Sequence, residues 1–170
     1  MRDEPYVVYL YNLARELGCG LRLEPNLSGM MYVEFGYVEG PTPYKSDQYT
    51  DQQAFAVGLH ELGHFYHGHT QGRPPFGDLK YYFDNGVLKS EAEAWDYALV
   101  HLDEYGEELE PDTKRFMWHT CLGSYFRGSQ QAAGKPDRLW NGNRHHVEFI
   151  WDKPGTLFDT TRDRMQSLAA

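Results

Sequence analysis

A chain of 170 residues with 41% apolar and 15% aromatic side chains suits a single globular domain that buries its core without disulfides. Its formal net charge of −9 repels phosphate backbones and argues against nucleic acid as a direct partner. No apolar run reaches the ~18–20 residues of a membrane span, and Met1-Arg2-Asp3-Glu4-Pro5 is not read as a signal peptide.

Val7, Leu10, Tyr11, Ala14 and Leu17 recur at helical spacing, which predicts a first helix over 5–17 stopped by Gly18 and Gly20. Cys19 follows; with Cys121 it makes two cysteines, too few and too far apart for a disulfide scaffold or a cysteine zinc knuckle. Both are read as small buried hydrophobes in a reducing cytoplasm. Residues 21–38 read as strands. Asn26, Ser28 and Gly29 supply a turn, after which Met31, Val33, Phe35 and Tyr37 alternate with Tyr32, Glu34, Gly36 and Val38. Gly40, Pro41 and Pro43 mark 39–49 as a loop.

The next helix, expected over 51–66, is apolar on most sides, with Ala54, Phe55, Val57, Leu59, Leu62 and Phe65. Such a helix belongs in the middle of a fold. It carries His60-Glu61-Leu62-Gly63-His64, an H-E-x-x-H motif. Residues i and i+4 share one helical face, so the two imidazoles can grip one Zn²⁺ while Glu61 takes a proton from water on that ion. Two histidines and a glutamate on a buried helix are costly unless something pairs with them, and a metal does so. Gly58 and Gly63 lower helix propensity and point to close packing or a nearby ligand.

A third ligand is expected from elsewhere, since a catalytic zinc takes three protein ligands and keeps a position for water. His67 shares the face of His60 but lies about 10 Å further along by helix rise, which makes it a site-rim residue. The stretch 67–88, with six glycines and prolines between Gly68 and Gly86, reads as a long binding or lid loop with a short structured piece near Tyr81–Phe83.

A helix over 90–105 then offers two glutamates that helical phase separates. Glu91 falls with Trp95, Ala98 and Leu102 on an apolar face, whereas Glu93 falls with Tyr97, Val100 and Glu104. Glu93 also completes a capping box with Ser90. Glu91 is therefore the expected third ligand and Glu93 the alternative. Ala94 and Ala98 are small enough to let the two helices share an ion. Further helices are expected over 112–126 and 159–168, with a short strand over 146–151 and a polar, glycine-containing stretch over 128–143. A second donor to the oxyanion is sought among His119, His145, His146 and Tyr125, and nothing in the sequence chooses among them.

With these residues in view, the chain resembles the ImmA/IrrE family of zinc metallopeptidases and the wider gluzincin group, in which H-E-x-x-H is followed by a glutamate on a second helix. The family pattern there is roughly E-x-x-A-N-x-F-A-x-x-L-L, and Glu91, Ala94, Trp95, Tyr97, Ala98 and Leu102 stand at the corresponding places. Trp95 stands where the family tends to have Asn or Asp, and His101 replaces one of the two leucines. The resemblance spans roughly residues 5–105, and 106–170 is a helix plus a less regular segment. It implies an α+β, mainly helical, zincin-like single domain over 1–170, with a small sheet and the motif on a central buried helix. It also implies one Zn²⁺ per chain on His60, His64 and Glu91, with Glu61 as general base.

The expected activity is intracellular peptide-bond hydrolysis of a partner protein, such as a transcriptional repressor in phage, mobile-element or stress control. A non-catalytic zinc-containing regulator on the same fold is the alternative. The strand near Met31–Tyr37, if at an edge, is expected to hold an extended substrate.

Overall fold

The computed structural model describes residues 4–27, 30–32, 36–68, 85–122 and 157–170. The expectations for the strand positions 33–35, for the loop over 69–84 with its structured piece near 81–83, for Tyr125, for 128–143 and for His145, His146 and the strand beside them lie outside these residues. The chain divides into two compact units, Met1–Gln71 with Ala94–Thr113 and Gly72–Glu93 with Lys114–Ala170. The described elements are mostly helical with one small sheet, an α+β arrangement.

In the first unit, helix α1 covers Pro5–Leu17, with Pro5 in its first turn, where a missing N–H costs nothing, and Gly18 at its end. Tyr6, Val7, Leu10, Leu13 and Ala14 form its buried stripe. Three strands follow: β1, Gly20–Glu24; β2, Met30–Tyr32; and β3, Tyr37–Pro41. The order is β1-β3-β2, with β3 parallel to β1 and antiparallel to β2. The continuous alternation expected from Met31 through Val38 is thus two strands. Gly36 adopts φ 67°, a left-handed conformation that breaks an extended run, and lets the chain turn back on itself. Paired with β1 along its length, β3 runs on to Pro41 through residues expected to be loop; there Glu39 is buried and takes a 3.0 Å ion pair from Arg22. Pro41 is tolerated because it closes the strand.

Helix α2 covers Asp51–Tyr66. Its start is a capping box: Thr50 accepts from the Gln53 amide, and the Gln53 side chain accepts from the Thr50 amide. All residues from Ala54 to Gly63 are buried. This helix packs on β3, on β2 and on α1. Helix α3 covers Asn85–Tyr105. It begins ahead of the expected start, so Ser90 lies inside a helix and the Ser90–Glu93 capping box does not exist as such. Residues 85–88 belong to this helix rather than to a loop.

An aromatic cluster joins α1, α2 and the second half of α3. Tyr6 stacks on Phe55 at 4.4 Å between ring centres, and Tyr105 meets both Phe55, at 5.1 Å, and Tyr9, at 5.4 Å. Polar ties complete the closure: the Tyr6 hydroxyl donates to Glu107 at 2.5 Å, and the Gln52 side chain donates to the Glu108 carbonyl and accepts from the Glu110 amide.

Residues 111–122 start as a short helix, α4 (Pro111–Arg115), and continue as a wider π-helical segment, Phe116–Leu122, where one ordinary helix over 112–126 was expected. In the second unit, helix α5 (Leu157–Ala169) packs on that segment, with Met165, Met117 and Leu122 buried. Cys19 is buried and Cys121 half-buried, and neither is in a disulfide; burial pushes the Cys19 thiol up to about 11. Among the described residues, no helix is long and apolar enough to cross a membrane.

Candidate metal centre

The capping box fixes where α2 begins, and so fixes the phase of every later side chain on it. His60 and His64 emerge one turn apart on the same face. Their rings stand nearly perpendicular, at 81° with centres 4.5 Å apart, and their Nε2 atoms lie 3.0 Å from each other. Two imidazole nitrogens meet this closely only with an electrophile between them, a proton or a metal. Zinc–nitrogen bonds of ~2.0–2.1 Å in a tetrahedron put two nitrogens about 3.3 Å apart, so little movement separates this pair from a chelating one.

The third donor comes from α3. One ligand atom each of His60, His64 and Glu91 lie within 4.8 Å of one another. Two nitrogens and a carboxylate oxygen form a donor set that suits Zn²⁺. The three residues present therefore fit a metal ion. Glu61, adjacent to His60, is 9% exposed, and His60 is 7% exposed. Glu91 is half-buried.

The remaining candidates fall elsewhere. Glu93 is half-buried on α3 and is not part of the three-donor cluster. His67 caps the end of α2, exposed, with its ring edge-on to Tyr66 at 5.0 Å. His119 is exposed on the π-helical segment.

The helices approach closely at Gly63. A Cβ built there would lie 2.7 Å from the Ala94 carbonyl oxygen and 3.0 Å from its Cα, so any larger residue would push α3 away. The next residue, Trp95, is 2% exposed and stacks on His60 with ring centres 4.3 Å apart and planes at 29°. Sequence reasoning placed Trp95 on the inward face of its helix, where the resembled family tends to have an Asn or Asp partner for a ligand histidine, but foresaw no ring contact with His60. The signal was present: Trp95 is one turn after Glu91, and the face that carries one must carry the other.

Further from the site, the Tyr9 hydroxyl lies 2.8 Å from His101 Nδ1, and Glu104 approaches the same nitrogen at 3.2 Å. Burial lowers the His101 pKa, and the nearby Glu104 and Glu16 carboxylates oppose this to a lesser degree. Burial raises the Tyr97 hydroxyl, so that it stays protonated.

A scan against protein-family models, and searches among curated proteins and solved structures, found no match to the chain.

Proposed function

We propose that the chain is a zinc-dependent endopeptidase of the zincin type, akin to the ImmA/IrrE and gluzincin peptidases that its motifs resemble. The observation that carries this reading is the convergence of His60, His64 and Glu91 donor atoms next to a buried Glu61. A structural zinc needs no base beside its ligands, whereas a hydrolase does.

An ion bound there would acidify water and polarise the scissile carbonyl. His60 and His64 hold their Nε2 atoms toward a common point, and Glu91 supplies the anionic donor. Glu61 accepts the proton of the attacking water and delivers it to the departing amine, which a carboxylate can do in both directions. Among the described residues, strand β2 pairs with β3 alone, stands at the edge of the sheet and packs on α2. That edge suits an extended peptide, which would add as a further strand by main-chain hydrogen bonds. The proposed substrate is a partner regulatory protein, such as a transcriptional repressor. The proposed setting is the cytoplasm, where Cys19 and Cys121 stay reduced.

Purified protein should hold about one zinc per chain and cleave peptides from a mixed-sequence library. Glu61→Gln should keep the metal and lose about 10²–10⁴-fold in cleavage, the range for a general base. Undiminished cleavage in that variant would remove Glu61 from the mechanism. Metal binding without cleavage in the unaltered protein would favour a regulator that binds and does not cut.

A further inference from the structure

We propose that Trp95 is a positioning residue that holds His60 in its metal-binding orientation through ring stacking. The proposal rests on the metal-centre reading above and adds to it a residue outside the three proposed ligands.

The torsion that swings an imidazole about its Cβ–Cγ bond is soft and broad, unlike the staggered torsions of aliphatic chains. A ligand histidine must be held against that rotation, because a turned ring points Nε2 away from the ion. Partners beyond the ligands usually do this. Around His60 the structure places two surfaces. The His64 ring stands at 81° to it with centres 4.5 Å apart, and the Trp95 indole lies along its face at 29° and 4.3 Å. Rotation of the His60 ring would drive its edge into the indole. The indole cannot yield, since Trp95 is 2% exposed and Ala94 before it is seated against Gly63.

The stack also has a preferred sign. An indole face is electron-rich and attracts an aromatic ring that carries positive charge. Imidazole gains such charge when its nitrogen binds a cation, so the contact strengthens on metal binding. The same helical face then supplies a charged ligand, Glu91, and an aromatic shelf, Trp95, one turn apart.

The test is competition of Zn²⁺ between the protein and a chromophoric chelator, in folded wild type, Trp95→Phe and Trp95→Leu, with folding verified by circular dichroism. Trp95→Leu removes the ring and should weaken Zn²⁺ binding about 10–100-fold, the range for partners of ligand histidines. Trp95→Phe keeps a ring face and should retain affinity within about threefold. Should Trp95→Leu fail to fold, Trp95→Met serves as the ringless variant. Co²⁺ gives a second readout: it should quench part of the tryptophan fluorescence of wild type, and that part should vanish in Trp95→Phe. Equal affinity in all variants, or equal loss in Trp95→Phe and the ringless variant, would overturn the positioning role while leaving the metal centre intact. Failure of wild type to bind Zn²⁺ or Co²⁺ would overturn both.

Discussion

Glu91 and Glu93 differ by two positions and carry the same chemistry, yet only Glu91 joins the donor cluster. The reason was legible in the sequence. Residues two positions apart on a helix are about 200° apart around its axis, so one faces the core when the other does not. The companions of Glu91, namely Trp95, Ala98 and Leu102, are 2%, 0% and 5% exposed, whereas Val100, a companion of Glu93, is 43% exposed. Glu91→Ala should therefore weaken Zn²⁺ binding beyond the ~100-fold upper range for non-ligand partners, and Glu93→Ala by less than about tenfold. Chelator competition measures both, and the reverse ranking would transfer the ligand role. His101 gives a second prediction at this scale. Its folded pKa lies below the ordinary ~6.5, so the unfolded chain binds its proton more readily. The stability tied to neutral His101 is full above about pH 6.5 and declines as the pH falls below it. The urea midpoint of metal-free protein should drop between neutral and mildly acidic pH, and His101→Gln should make that drop shallower. The Tyr9–His101 bond joins side chains 92 positions apart, and no local pattern announces such a pair.

The helices were more legible than the strands, for a physical reason. Helix α2 has its capping box, its first-turn acid and its apolar run in one short stretch, all local signals. The sheet depends on Gly36 taking a left-handed turn, and an alternating pattern that passes through a glycine looks continuous either way. The start of α3 was misplaced because Ser90-x-x-Glu93 imitates a capping box inside a helix that begins at Asn85. Two glycines of α2 make graded predictions. At Gly63 an added Cβ meets Ala94 backbone, so Gly63→Ala should destabilise by about 1–3 kcal/mol and weaken metal binding as α3 shifts. At Gly58 it meets both methyl groups of Leu10, at 2.8 and 3.0 Å, and Leu10 is fully buried. The ~1 kcal/mol gain in helix propensity offsets part of that overpacking, and Gly58→Ala should destabilise less than Gly63→Ala. Thr50→Ala removes the cap and should cost about 1 kcal/mol. Chemical denaturation of the three variants orders them.

At the scale of the molecule, a metal that binds only the folded chain adds stability by mass action. Zinc at 100 times its dissociation constant should contribute ~2.7 kcal/mol, seen as a higher Tm that a chelator reverses and that Glu91→Ala abolishes. Composition anticipated a globular chain, but it holds no sign that the contacts divide it into two compact units of two segments each, the first completed by Ala94–Thr113. That segment has a consequence during synthesis. The aromatic and polar ties of α1 and α2 reach to Tyr105, Glu107 and Glu110, so the first unit cannot close on its first 71 residues alone. Ribosomes add ~5–20 residues per second, so the nascent chain waits about 2–8 s between residue 71 and residue 113. For that interval the apolar flank of α2 has no α3 to cover it, and the growing chain should be a client for chaperones that hold exposed hydrophobic segments.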